Sequence, residues 1–274
     1  MTSDLVATRT RLTTRFDELK KKNEGALVCY VVAGDPSLQA TVEIVKTLDR
    51  ADADVVELGI PFSDPLADGP TIQLGSLRAL SAGASVISVL ETLRQIRKVS
   101  EIPVVLMTYF NPAMQYGVER FAQDAAAAGA DGVIQTDLTP EESDYWVGCA
   151  QANNLDTVFL AAPTSTTERL TIAAERCSGF FYAVSRTGVT GAQQSVSTEL
   201  PEMIARIRAV TDLPVCVGFG VSKPEHVTEI CHYADGAVVG SSLVDLIGKF
   251  GSDPQLQDKV FEYVASLKSA TRNR

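Results

Sequence analysis

Asp52-Ala53-Asp54-Val55-Val56, Ala130-Asp131-Gly132-Val133-Ile134 and Ala234-Asp235-Gly236-Ala237-Val238 repeat one local event, a small acidic turn that hands a helix over to a strand. Ile102-Pro103-Val104 and Leu213-Pro214-Val215 do the same with a proline, which ends the preceding helix and favours extended backbone. Working outward from these points, short β-branched runs read as eight strands: Leu27–Ala33, Val55–Ile60, Val104–Tyr109, Gly132–Asp137, Thr157–Ala162, Phe180–Ser185, Val215–Gly220 and Ala237–Ser241. Helical apolar spacing fills the intervals at Leu38–Leu48, Val86–Ile96, Val118–Ala128, Glu141–Ala152, Thr167–Arg176, Leu200–Val210, Pro224–Cys231 and Leu243–Ile247. Strands alternating with helices demand a parallel sheet. Eight units favour closure into an α/β (β/α)8 TIM barrel over an open doubly wound sheet. Extra N- and C-terminal helices are expected from about Leu5 to Lys22 and from about Pro254 to Ser269.

Size and composition agree with that architecture. At 274 residues and 45% hydrophobic side chains, the chain can bury one large core, and a single barrel domain over residues 1–274 is expected. No run of about 18 apolar residues and no secretory signal pattern occurs, which predicts a cytoplasmic protein. The five cysteines are an odd number without C-x-x-C spacing, as suits buried thiols in a reducing compartment. A net charge of −10 disfavours nucleic acid and anionic membranes as partners, and an anionic substrate would need local help.

In such a barrel the chemistry sits where strands end. Alternation along the second strand turns Val55, Glu57 and Gly59 inward and the bulkier Val56, Leu58 and Ile60 toward the helices. An inward carboxylate is costly unless paired or neutralised, and burial raises its pKa toward the range of a general acid or base. A barrel-lining glutamate satisfied by a hydrogen bond is the plainer alternative. The following loop, Pro61-Phe62-Ser63-Asp64-Pro65-Leu66-Ala67-Asp68-Gly69-Pro70, is long and can return Asp68 toward the strand ends. Two carboxylates in different surroundings can hold separated pKa values and divide their roles. Asp64 reads equally well as a turn residue before Pro65.

The last two strands end in Gly218-Phe219-Gly220-Val221-Ser222 and Gly240-Ser241-Ser242. Glycine lets backbone approach an anion, and the start of a helix supplies free N–H groups, so this pair of ends suits phosphate. Between the two regions Tyr30, Tyr109 and Tyr182 fall on inward faces, with Met107 beside Tyr109, and their hydroxyls suit a flat aromatic ligand. Ser185-Arg186-Thr187-Gly188-Val189-Thr190-Gly191 is either a lid or a plain exposed loop. Absences matter as well. The two histidines, His226 and His232, stand about 240° apart on a helix and cannot share a ligand, and no lysine lies in a strand to form a Schiff base. Carbon–carbon cleavage here needs a substrate that stores the electrons itself, as an indole does once C3 is protonated.

The run Val56-Glu57-Leu58-Gly59-Ile60-Pro61-Phe62-Ser63-Asp64-Pro65-Leu66-Ala67-Asp68-Gly69-Pro70-Thr71-Ile72-Gln73 resembles the signature of the tryptophan synthase alpha chain family. Gly34-Asp35-Pro36, Tyr109 with Asn111, Asp137 before Glu141-Glu142, the Ser185–Gly191 segment, Gly218-Phe219-Gly220 and Gly240-Ser241 follow in the family's order over about residues 10 to 270. The resemblance implies cleavage of indole-3-glycerol phosphate to indole and glyceraldehyde 3-phosphate in tryptophan biosynthesis, without a cofactor of the chain's own. It implies that Glu57 protonates indole C3 and that Asp68 accepts the indole N–H. It also places Tyr182 beside Glu57 and lines the indole pocket with Tyr30, Met107, Tyr109, Ile134 and Leu160. Phosphate would meet the backbone of Gly191, Phe219, Gly220, Gly240 and Ser241, under a loop whose Thr190 contacts Asp68. The implied partner is a pyridoxal phosphate-dependent beta subunit in an α2β2 complex. A stand-alone indole-releasing lyase and a catalytically silent regulatory subunit are the alternatives. Two positions depart from the family's habit: Cys29 replaces a usual proline, and Thr136 a proline or alanine.

Overall fold

The computed structural model describes residues 9–184, 200–218 and 220–272. Along the chain run α1 (Arg11–Lys22), β1 (Ala26–Val32), α2 (Leu38–Arg50), β2 (Val55–Gly59), α3 (Pro70–Ser81), α4 (Val86–Ile96), β3 (Val104–Thr108), α5 (Phe110–Tyr116), α6 (Val118–Ala128) and β4 (Gly132–Gln135). A turn of 3-10 helix (Pro140–Glu142) precedes α7 (Asp144–Ala152), β5 (Asp156–Val158), β6 (Leu160–Ala161), α8 (Thr167–Arg176) and β7 (Phe181–Val184). The chain continues with α9 (Leu200–Arg208), β8 (Val215–Gly218), α10 (Pro224–Cys231), β9 (Gly236–Val239), α11 (Ser241–Phe250) and α12 (Leu256–Ala270).

Every strand pairing is parallel, in the order β5-β4-β3-β2-β1-β9-β8-β7-β6. The two terminal strands of that order, β5 and β6, are consecutive in the chain and separated only by Phe159. They are therefore one stave broken in the middle, its first half paired with β4 and its second with β7. This brings the sheet round into a barrel of eight staves, as the alternation of elements predicts. The expected strand over Thr157–Ala162 is the one that divides.

Two apolar layers follow from the pleat. Residues such as Val28, Val55, Val105, Ile134, Val158, Phe180 and Val238 fill the interior, and Leu12, Phe16 and Leu19 of α1 plug its floor. Leu27, Cys29, Val31, Val56, Leu58 and Leu106 face the ring of helices. Cys29 is thus an outer-layer residue, and β1 runs through it in unbroken register with Val56 on one side and Val239 on the other. All five cysteines are buried and unbridged.

The repeated acidic turns now have a physical cause. Asp54, Asp131 and Asp235 each precede a strand, and each accepts the N–H of the first residues of the neighbouring strand: Leu27 at 2.6 Å, Val104 at 2.8 Å and Val215 at 2.8 Å. A barrel floor leaves such N–H groups unpaired, and a carboxylate satisfies them with a charge-assisted bond. Asp54, fully buried, also accepts from Arg15 Nε of α1 at 2.9 Å and from Lys268 Nζ of α12 at 2.7 Å. Lys268 is itself only 3% exposed, so one carboxylate gathers both terminal helices.

Two helices were not anticipated. α3 begins with Gly69 at its cap and Pro70 at its first position, the usual pre-set start, but its apolar pattern is blurred by the exposed Leu74 and Leu77. α5 carries Pro112 in its first turn, where a missing N–H costs nothing, although Asn111-Pro112 reads locally as a turn. Among the described residues no single helix is long and apolar enough to cross a membrane.

Candidate active site

Glu57 occupies the centre of β2 and points into the barrel, beside Tyr30 of β1 and Val105 of β3 in the strand register. Its carboxylate is 1% exposed, and Oε1 has no hydrogen-bond partner among the described residues. The hydrogen-bonded barrel-lining glutamate is therefore not what the described residues form at this oxygen. Burial with so little compensation raises its pKa to about 8, so that it holds its proton at neutral pH.

Gly59 and Gly218 make room for the flanking tyrosines. A Cβ on Gly59 would come within 2.4 Å of the Tyr30 hydroxyl, and one on Gly218 within 2.2 Å of the Tyr182 hydroxyl. Burial, followed by the nearby carboxylates, pushes both phenols well above their ordinary range for Tyr30 and likewise for Tyr182, so each remains a proton donor.

Glu57, Tyr30, Tyr182, Met107, Asp68, Gly220, Gly240 and Ser241 line one cavity. The loop after β2 does bring Asp68 back over the strand ends, while Asp64 stays exposed and bonds to its neighbour Ser63. Asp68 is half-buried. Burial raises its pKa to about 6, opposed by a hydrogen-bonding interaction with Tyr109. The two carboxylates therefore stand about two units apart, with Asp68 ionised and Glu57 protonated between them. An adjoining cavity shares Tyr30, Asp68 and Met107 and adds Phe62, Tyr109 and Thr136. The Ala67 N–H donates to the Tyr109 hydroxyl at 2.9 Å, and the Phe62 ring lies 5.3 Å from the Tyr109 ring, which pins the loop to the end of β3.

Across the cavity, Gly240 caps α11 without any side-chain hydrogen bond to the first turn. Such an uncapped start offers N–H groups and a partial positive charge to an anion. The Ser242 hydroxyl donates to the Val221 carbonyl at 2.9 Å and the Tyr263 hydroxyl to Ser242 Oγ at 2.7 Å, tying the loop after β8 to the start of α11. Gly220 holds φ at +73°, a conformation that a side chain strains. Gly240→Val is the cleaner probe, since the nearest atoms its Cβ would meet among the described residues are those of Tyr30, at an ordinary 3.6 Å. A folded Gly240→Val chain should bind glycerol phosphate about tenfold more weakly, because a branched side chain blocks the backbone's approach to the anion. Unchanged affinity by calorimetry would put the phosphate elsewhere.

Two expected residues line neither of these two cavities. Ile134 is wholly buried in the interior layer, and Leu160 lines a neighbouring cavity with Val184. Thr190, Gly191 and Phe219, with the expected lid over 185–191, fall outside the described residues. Ile72, Val221, Val238 and Thr136 are additions. Ile72 follows from the unanticipated α3, and Thr136 stands one position beyond β4, its N–H still bonded to the Thr108 carbonyl at 2.9 Å.

The tryptophan synthase alpha chain profile matches residues 16–272. The chain belongs to the tryptophan synthase alpha chain family. The alpha chain of Solibacter usitatus is 48% identical over 259 residues, covering 94% of this chain and 97% of that one. A chain of the solved tryptophan synthase from Mycobacterium tuberculosis superposes with a TM-score of 0.89 at 38% identity, covering 97% of this chain and 99% of that one. The tryptophan synthase subunit alpha of Legionella pneumophila gives 0.88 at 36%, covering 97% and 100%. The likeness in sequence and in fold thus extends over nearly the whole chain.

Proposed function

We propose that Glu57 and Asp68 divide the acid–base work of the tryptophan synthase alpha reaction, the cleavage of indole-3-glycerol phosphate to indole and glyceraldehyde 3-phosphate. The chain is a carbon–carbon lyase of tryptophan biosynthesis. One observation carries the division of roles: a protonated and an ionised carboxylate share one tyrosine-lined cavity with an open helix start opposite.

In this reading Glu57 gives its proton to indole C3, and the ring nitrogen becomes cationic. Asp68 accepts the indole N–H and stabilises that charge. The same carboxylate of Glu57, now ionised, takes the proton of the glycerol hydroxyl next to the ring. The bond from C3 to that carbon breaks, its electron pair returns to the indole, and the carbon leaves as the aldehyde of glyceraldehyde 3-phosphate. Protons and electrons balance without a cofactor. Tyr30, Tyr182, Met107 and Tyr109 supply the aromatic and apolar walls, while Gly220, Gly240 and Ser241 receive the phosphate, joined by Gly191 and Phe219 on family resemblance, and Thr190 contacts Asp68 on the same resemblance.

The partner is a pyridoxal phosphate-dependent beta subunit in an α2β2 complex, in the cytoplasm. Leu66 is 89% exposed two residues before Asp68, and Leu74 and Leu77 of α3 are 56% and 61% exposed, an apolar rim around the loop that carries the carboxylate. A protein docked there orders the loop and raises the population of the competent Asp68 position. Purified chain should release indole and triose phosphate in equal amounts from indole-3-glycerol phosphate, slowly alone and faster with a cognate beta subunit that co-sediments with it. Full activity alone without association would identify a stand-alone lyase. No cleavage in either setting would leave the regulatory reading.

A further inference from the structure

The two segments read as the phosphate seat are built for close approach rather than for rigidity. Gly220 holds a positive φ in the loop after β8, and Gly240 caps α11 with no side chain to bond its first turn. Leu243 and Val244 both give their N–H to the Gly240 carbonyl, at 2.9 and 3.0 Å, which leaves Ser241 and Ser242 as the first-turn N–H groups with no acceptor in the helix. Such donors serve an anion only while they point at it, because a hydrogen bond weakens steeply as it leaves its axis. Their direction has to be fixed from outside the two segments.

α12 supplies that support. The Tyr263 hydroxyl donates to Ser242 Oγ at 2.7 Å, and the Ser242 hydroxyl gives its own proton to the Val221 carbonyl at 2.9 Å. A serine hydroxyl has one proton to give, so once it goes to Val221 the oxygen is left to accept and the phenol is the donor that fits. The Ser222 carbonyl lies 3.2 Å from the same phenol oxygen, a second and longer acceptor on the same loop. The loop has another side-chain tie in the Ser222 N–H to His226 Nδ1 of α10, but at 3.4 Å it is weak. Tyr263 itself stands on a firm base, since Val260, Val264 and Leu267 of α12 are wholly buried and Lys268 holds the helix to Asp54. Val221 and Ser242 both line the cavity that contains Glu57.

We propose that Tyr263 is a positioning residue for the cleavage reaction: through Ser242 its hydroxyl latches the loop after β8 to the first turn of α11, and so aims the backbone N–H groups that meet the substrate's phosphate. The two halves of the seat follow different staves, β8 and β9, and the Ser242–Val221 bond joins them. Chains of hydrogen bonds polarise one another, so removing the phenol donor weakens the bond beyond it. Neither bond involves Glu57 or Asp68, so the latch acts on binding and not on proton transfer. The inference rests on the reading of Gly220, Gly240 and Ser241 as the phosphate seat.

The test measures binding of glycerol 3-phosphate and of indole to the full chain by calorimetry. It compares Tyr263→Phe, which loses only the hydroxyl, Ser242→Ala, which loses the whole latch, and the double variant. Tyr263→Phe should bind glycerol 3-phosphate about three- to fivefold more weakly and Ser242→Ala about five- to tenfold. The double variant should stay within about twofold of Ser242→Ala, because both changes act through one contact. Indole carries no phosphate and should bind within about twofold of the parent throughout. KM for indole-3-glycerol phosphate should rise with the loss of glycerol 3-phosphate affinity while kcat stays within about twofold. Parental glycerol 3-phosphate affinity in both single variants, an equal loss of indole affinity, or a full multiplicative loss in the double variant would each overturn the latch. Parental affinity in a folded Gly240→Val chain would instead overturn the phosphate reading, and the latch with it.

Discussion

Glu57→Gln is expected to lower turnover by at least about 10²-fold while substrate affinity stays near that of the parent chain. The amide keeps the size and reach of the carboxyl group but cannot cycle a proton between indole C3 and the glycerol hydroxyl. The surroundings described above tolerate the change, since a neutral group already occupies this site at neutral pH. Stopped-flow measurement of binding and cleavage separates the two effects, and turnover near the parental value would remove Glu57 from the mechanism. The pH profile provides a second reading. In the parent chain kcat/KM should rise through about pH 6 as Asp68 loses its proton and fall through about pH 8 as Glu57 loses its own. The limbs report the interacting pair. Whatever cleavage survives in Glu57→Gln should lack the alkaline limb.

Asp68→Asn should lower kcat by an order of magnitude or more, roughly the loss seen when one electrostatic stabiliser is removed. The indole nitrogen becomes positive only as C3 is protonated, so the missing charge is felt in the transition state and hardly in the ground state. Residual activity should lose the acid limb near pH 6, because asparagine does not titrate. A variant that raises KM and leaves kcat untouched would show that Asp68 merely holds the substrate.

The barrel was legible because its elements obey local rules. Strand and helix periods alternate from Leu27 to Ile247, and the inward face of β2 follows directly from the pleat, which placed Glu57 correctly. The strand ends were less legible. Tyr109, Gly240 and Ser241 continue their apolar runs but have already left the sheet, Tyr109 and Gly240 to cap helices and Ser241 to begin one. The break at Phe159 has no local signal, since it reflects which neighbour is within reach as the sheet closes on itself. Loop length allows Asp68 to return and the family resemblance gives it a role, but its setting beside Tyr109 depends on how the loop packs against β3.

The buried Asp54 decides how the protein can be re-engineered. Arg15 near one end of the chain and Lys268 near the other meet on the same carboxylate, so the sequence is drawn almost into a ring beneath the barrel. A shortened version lacking α12 would strip the buried Asp54 of Lys268 and leave Arg15 as the cation still bonded to it. Deletion libraries should therefore treat residues 11 to 268 as indivisible, whereas a linker from α1 to α12 joins two helices that already meet on one side chain. That makes circular permutation with new termini cut into an outer helix connection a more promising route to tethered fusions than trimming either end.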